Sequence, residues 1–254
     1  MVIGDAAAAS LLSRLLDGLT QALGHNLFAV YLFGSAATGD FEPGVSDVDT
    51  AVIVKDELAP PELIVLERMH RQLVAETWEW DDRIEAVYVP TEGLRAFRDR
   101  TSAAARISPG EPFHEVVVDP TWLIDWYQLR EVGVTLFGPP ATEVVPIISQ
   151  SEYVEAVRHH LLAWPTWTGE FFTQGEQAYA ILTMCRGLRT VRTGEYVSKR
   201  EAARWACVEL PAHAELIRDA LLWREEARRA GTDDATTTSP VTIAFVREVA
   251  SLVD

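Results

Sequence analysis

The chain has 254 residues, 48% of them apolar, and 38 acidic against 22 basic residues give a formal charge of −16. That length holds one large domain or two modest ones with real cores. The charge repels phosphodiester backbones, which argues against template-dependent or RNA-tailing polymerases; it would attract a polycationic small molecule, and is equally readable as that of a generic soluble acidic protein. Residues 6–23 carry Leu11, Leu12, Leu15, Leu16 and Leu19 at helical spacing before a stop at Gly24. Residues 27–33 form an apolar run that reads as a buried strand and breaks at Gly34-Ser35. Residues 36–46 include Gly39, Pro43 and Gly44 and read as a turn or short helix. A second strand follows through residue 54. Pro60-Pro61 opens a helix through about residue 75, and residues 83–89 form a third strand.

From 92 to 110 the pattern is mixed and reads as a helix and a loop. Residues 114–118 read as a strand, 120–131 as a helix and 134–137 as a short strand broken by Gly138-Pro139-Pro140. Beyond residue 146 the chain reads as helices only, near 151–163, 175–193, 198–209, 212–229 and 241–252, with a polar loop at 231–240. The expected fold is α+β: an N-terminal α/β domain over 1–146, then an all-helical domain over 147–254, with the active site in the cleft between them. Cys185 and Cys207 lie in helical patterns and read as buried free thiols. No leader pattern opens the chain and no apolar run approaches membrane-spanning length, so a cytoplasmic protein without a membrane partner is expected.

The chemistry concentrates around the first two strands. Strand side chains alternate, so Asp47 and Asp49 project from one face about 7 Å apart. Two carboxylates so placed repel unless a cation lies between them, and one or two Mg²⁺ ions, which prefer oxygen ligands, would relieve this. Gly34 lets backbone N–H groups approach a phosphate, and Ser35 adds a hydroxyl donor. The combination suits metal-assisted phosphoryl or nucleotidyl transfer. A lone D-x-D is more often a solvated strand end; the Gly-Ser pair one strand earlier reverses that preference.

Phe33-Gly34-Ser35 with Ser46-Asp47-Val48-Asp49 resembles the active-site motif of the nucleotidyltransferase superfamily typified by DNA polymerase beta. With Leu182-Thr183-Met184-Cys185-Arg186 and Thr193-Gly194-Glu195-Tyr196-Val197-Ser198-Lys199, the chain is most similar to the aminoglycoside nucleotidyltransferases of the streptomycin/spectinomycin adenylyltransferase type. The resemblance implies a third acidic residue on the strand after the D-x-D strand, and Glu85 fills it, as metal ligand with Asp47 and Asp49 or as general base. The competing reading of Glu85 is a salt bridge with Arg83 or an exposed edge position.

The resemblance further implies that Lys199 reaches the nucleotide phosphates and that Arg186 lies near the nucleotide. Lys199 opens a helix capped by Ser198, with Glu201 expected to complete a capping box. Glu176, Tyr179, Thr183, Arg186 and Thr190 follow one helical face, expected to line a polar cleft, against the plainer reading of a solvated face. Gly34, Ser35, Ser46, Arg186, Thr190 and Lys199 are thus the expected nucleotide-binding residues. Glu85, Trp167, Glu176 and Tyr179 are the expected acceptor-binding ones. Glu176 stands where the family carries an Asp, and Glu170-Phe171-Phe172 offers no match for the Asp that accompanies streptomycin use, which favours spectinomycin. Trp78, Trp80, Trp164 and Trp167 are equally readable as core.

The implied function is Mg²⁺-dependent transfer of AMP from ATP to a hydroxyl of an aminoglycoside or aminocyclitol by a monomer, with pyrophosphate leaving. The alternatives are AMP transfer to a protein, as in antitoxin-type members of the superfamily, or a non-catalytic nucleotide-binding module.

Overall fold

The computed structural model describes residues 5–77, 80, 83–167, 173–230 and 239–254. Trp78, the Glu170-Phe171-Phe172 stretch and residues 231–238 of the polar loop lie outside the described residues. The chain divides into two compact units, Met1–Ile148 and Ser149–Asp254.

The first unit runs α1 (Ala6–Leu23), β1 (Leu27–Phe33), α2 (Gly34–Thr38), β2 (Val48–Val54), α3 (Pro60–Glu76), β3 (Ile84–Pro90), α4 (Thr91–Ala96), β4 (Ser102–Ser108), β5 (Glu111–Val118), α5 (Leu123–Val132), β6 (Val134–Phe137) and α6 (Ala141–Val144). The six strands form one sheet in the order β5-β4-β3-β2-β1-β6. Only β2 and β3 pair in parallel; the other pairs are antiparallel. The expected loop before residue 110 is corrected here: residues 102–108 are a strand, because the backbone groups of Ala-rich Ser-Ala-Ala-Ala-Arg-Ile-Ser pair with β3 and β5. Strand propensity is weak in alanine, and the pairing overrides it.

Both faces of the sheet are covered. Leu11, Leu15 and Leu19 of α1 and Leu66 and Leu73 of α3 pack against Val30, Leu32, Val52, Val54, Ala86 and Tyr88 on one face. Trp126 and Leu129 of α5 pack with Tyr31, Ala51, Ile53, Val87 and Val89 on the other. Each fully buried leucine of this kind contributes about 1.5–3 kcal/mol. Helix starts follow their side-chain chemistry. Asp5 caps α1 by accepting from Ala8 N at 2.8 Å. Glu62 in the first turn of α3 accepts from Ala59 N at 2.8 Å and from the buried Asn26 amide at 2.9 Å.

Beneath α3, His70 is buried at 1% exposure and shares a 2.5 Å hydrogen bond between Nε2 and the Tyr88 hydroxyl. Burial alone pulls the imidazole pKa down to about 4. The unfolded chain therefore binds a proton between its ordinary value near 6.5 and about 4 that the folded chain refuses, so stability falls as pH drops through that window. Urea unfolding at pH 7 and pH 5 is expected to show this loss in the parent. The loss should be smaller in a His70→Phe, Tyr88→Phe double variant, which removes both polar groups together.

The second unit contains α7 (Gln150–Trp167), α8 (Gln174–Thr193), α9 (Lys199–Glu209), α10 (Ala214–Ala230) and α11 (Ser239–Ser251). α8 is the central helix, in contact with the other four. Ala178, Ile181, Leu182, Cys185 and Leu188 are all buried, as their spacing predicts. Cys185 is fully buried, which pushes its thiol pKa up, while Cys207 is half-buried. Among the described residues no helix is long and apolar enough to cross a membrane.

Candidate active site

Three central strands bring Phe33 and two of the three predicted acidic residues, Asp49 and Glu85, into one row, whereas Asp47 precedes β2 and stands outside it. Phe33, the last residue of β1, pairs with Asp49 of β2, and Asp49 pairs with Glu85 of β3. By alternation, Asp49 and Glu85 lie on the α5 face, in line with Ala51 and Ile53 and with Val87 and Val89. In both strands the second residue, the carboxylate, is half-exposed and every other position is buried. Thr50 Oγ1 donates to the Glu85 carbonyl at 3.1 Å and links the two strands at this level.

Gly34 turns the chain out of β1 at φ +63° and begins α2. A Cβ built there would lie 2.0 Å from Asp49 Oδ2, so the glycine backbone sits directly against the carboxylate. Ser35 follows in α2 and is half-buried. Asp47 precedes β2 and is also half-buried. The loop leading into it is clamped from below. Arg83 donates to the Ser46 carbonyl, its guanidinium lies 4.5 Å from the centre of the Trp80 ring, and Val48 N donates to the Arg83 carbonyl at 2.9 Å. Ser46 is 2% exposed and its hydroxyl accepts from Glu42 N at 2.9 Å, which makes it a brace of the 42–46 turn.

Glu85 is engaged by a residue that the sequence patterns did not single out. Arg106 of β4 donates to Glu85 Oε1 at 2.9 Å, and its guanidinium lies 5.9 Å from the centre of the Trp122 ring. A cavity of about 200 Å³ opens here, lined by Phe33, Thr50, Glu85, Arg106, Trp122 and Asp125 among others. Arg106 was hidden because β4 was hidden; a single guanidinium in an Ala-rich stretch was the available signal. Among the described residues no group of three or more His, Cys, Asp or Glu side chains lies close enough to hold a metal ion by protein ligands alone.

In the second unit, Trp167 and Tyr179 are 60% and 56% exposed, and both pack on the buried Trp164, at 6.1 and 5.9 Å between ring centres. Lys199 Nζ lies 4.4 Å from the centre of the Tyr179 ring. His160 accepts from Trp164 Nε1 at 2.9 Å, which requires an unprotonated Nε2, and its pKa is lowered by burial first and by Arg186 second. Lys199, Tyr179 and Trp167 thus belong to one neighbourhood.

Three other predicted residues carry structural duties. Glu176 forms a capping box with Thr173, accepting from its backbone N at 2.9 Å; the Thr-x-x-Glu pattern signals this directly. Thr190 is 1% exposed and donates to the Glu195 carbonyl at 2.9 Å, and Thr183 is also buried. The polar stripe on α8 is therefore not one open face, because neighbouring helices enclose the middle of α8. Ser198 caps α9 by accepting from Glu201 N at 3.1 Å, whereas the Glu201 carboxylate accepts from Arg189 at 2.9 Å.

A strand-borne Gly-Ser turn stands against Asp49 with Glu85 in register beside it, and the family model described as "Nucleotidyltransferase domain" matches residues 12–93, which hold all of these. A second model, "Aminoglycoside adenylyltransferase, C-terminal domain", matches residues 143–250. The chain is 28% identical over 248 residues to an aminoglycoside (3'') (9) adenylyltransferase of Escherichia coli, covering 88% of each. It is 27% identical over 213 residues to a spectinomycin 9-adenylyltransferase of Staphylococcus aureus, covering 74% of each. It superposes on a crystal structure of spectinomycin adenyltransferase AAD(9) from Enterococcus faecialis with ATP and spectinomycin. The TM-score is 0.75 over 96% of this chain and 98% of that one, at 18% identity, which is a likeness of fold. The chain thus matches a nucleotidyltransferase domain over residues 12–93 and the C-terminal domain of aminoglycoside adenylyltransferases over residues 143–250.

Proposed function

We propose that the protein transfers AMP from ATP to a hydroxyl of a cationic aminocyclitol or aminoglycoside, with spectinomycin favoured and streptomycin the second candidate. The observation that carries the reading is the row Phe33, Asp49, Glu85 across three paired strands, with Gly34 seated on the Asp49 carboxylate. The activities for which the E. coli and S. aureus relatives are named support the same acceptor class.

Asp47 and Asp49 are hard oxygen donors, and Asp49 lies against a backbone turn with no Cβ; a donor set of this chemistry fits Mg²⁺. When bound, Mg²⁺ would supply charge neutralisation for the triphosphate and the developing charge on the leaving pyrophosphate. Gly34 and Ser35 offer donors to the phosphates without a side chain in the way. In the second unit, Lys199 at the start of its helix and Arg186 offer positive charge of the kind a triphosphate requires. Glu85 takes the proton of the attacking hydroxyl, which it can do only as a carboxylate. Trp167 and Tyr179 present ring faces to an amino-substituted acceptor, while the Glu176 carboxylate is engaged in its capping box with Thr173.

The test is pyrophosphate release with Mg²⁺ and ATP against spectinomycin, streptomycin, kanamycin and gentamicin, with Glu85→Gln alongside. Release with one compound, reduced about 10²-fold or more in Glu85→Gln, is expected. Silence across the panel with ATP binding intact would overturn the acceptor assignment.

A further inference from the structure

The cavity beside Glu85 poses a problem for a polycationic acceptor. A carboxylate base attracts ammonium groups more strongly than hydroxyls, so an amino group of the acceptor would compete for the position that the reacting hydroxyl must take. At about 200 Å³ the cavity is smaller than the roughly 300–1,000 Å³ of sites that take whole drug-sized ligands, so it admits one ring at a time. Whichever group that ring presents to Glu85 decides whether the complex is productive.

Arg106 addresses this problem. Its backbone sits on β4 opposite Val87, two residues along β3 from Glu85 and on the same face. From there the guanidinium reaches Glu85 Oε1 at 2.9 Å and lies 5.9 Å from the centre of the Trp122 ring. Trp122 is itself stacked on the buried Trp126, with ring centres 5.7 Å apart, so the wall behind the guanidinium is anchored in the core. The two charged side chains are only 33% and 30% exposed, so solvent screens the pair incompletely. Arginine keeps its charge at any physiological pH, so the cation is permanent.

We infer that Arg106 is a specificity-determining positioning residue: its guanidinium occupies the cation position at Glu85, repels the ammonium groups of the acceptor from the base, and leaves the uncharged hydroxyl as the group that can approach. The inference rests on the reading of Glu85 as the base. It gives Arg106 no contact with the reacting atoms; it acts through Glu85 and through like-charge repulsion. The surface as a whole still draws the cationic acceptor in, at a net charge of −16, while this one pocket turns ammonium groups away from a single carboxylate.

Arg106→Gln, Arg106→Lys and Glu85→Gln test it, each matched to the parent by circular dichroism and melting. With the acceptor found active in the panel, Arg106→Gln is expected to lower kcat about tenfold while its acceptor KM stays level or falls, the signature of non-productive binding. Arg106→Lys, which keeps the charge, is expected to retain most of the parent kcat. Calorimetry with 1,3-diaminopropane, a dication without a hydroxyl, gives a readout free of turnover. Its affinity is expected to rise about fivefold or more in Arg106→Gln and to return to the parent level when Glu85→Gln is added. A higher KM with unchanged diamine affinity in Arg106→Gln, or kinetics equal to the parent, would overturn the inference. Full activity in Glu85→Gln would instead remove the base reading on which it stands, and the two failures are read from different proteins.

Discussion

Asp49→Asn is expected to slow AMP transfer by about 10²–10³-fold or more while leaving the melting temperature near that of the parent. The two halves of that expectation come from different features. Asp49 is the half-exposed position of an otherwise buried strand, so its replacement by a neutral isostere disturbs no packing. It also lies against Gly34 and in register with Glu85, so on the proposed function the same change removes one of the carboxylates that would hold the Mg²⁺ needed to neutralise a triphosphate there. Stopped assays of labelled AMP transfer, run with melting curves on the same protein, check both. Transfer undiminished in Asp49→Asn would remove the metal-holding role from this residue.

Gly34→Ala is expected to be nearly as damaging by a different route. Its φ of +63° costs an alanine about 1–2 kcal/mol, and its new methyl would lie 2.0 Å from Asp49 Oδ2 and 2.7 Å from Cγ. Either the turn or the carboxylate must move, and a displacement near 1 Å at reacting groups costs about 10²-fold in rate. Gly39→Ala is the informative control. It has φ +77° with nothing within 4 Å of its built Cβ, so it carries the strain without the collision. Reduced melting temperature in both variants, with transfer lost only in Gly34→Ala, is the expected pattern. Equal activity in the two would show that the close approach of turn and carboxylate does not matter.

The parts legible in the sequence are those whose signal is local. The apolar runs at 27–33 and 48–54 and the Gly-Ser break follow from neighbours within a few residues, whereas the strand alternation expected from Asp47 begins only at Val48 and takes in Asp49 alone. Glu85 was placed by resemblance and by its odd position among valines. What stayed hidden depends on partners distant in the chain. β4 is a strand because β3 and β5 flank it, and nothing in Ser-Ala-Ala-Ala-Arg-Ile-Ser announces that. With β4 unread, the Arg106 partnership with Glu85 could not be seen. The polar stripe on α8 erred for a related reason. Helical spacing groups Thr183 and Thr190 with Tyr179, but a helix enclosed by four others buries them regardless of polarity. Glu176 shows a signal passed over: its carboxylate faces back to Thr173 as a capping box predicts.

The burial pattern shared by β2 and β3 has a consequence for how such a chain can drift. Each strand leaves one half-exposed position and fills the rest with core, and in both the exception is a carboxylate. Folding therefore constrains residues 50–54 and 86–90 most tightly, while on the proposed function positions 49 and 85 answer mainly to chemistry, Glu85 through its ion pair with Arg106 as well. A duplicated copy released from selection for catalysis could exchange both acids for their amides and remain fully folded. Silent relatives with an intact sheet are thus two isosteric steps away, and residues 49 and 85 are the places to read whether a homologous chain still works as an enzyme.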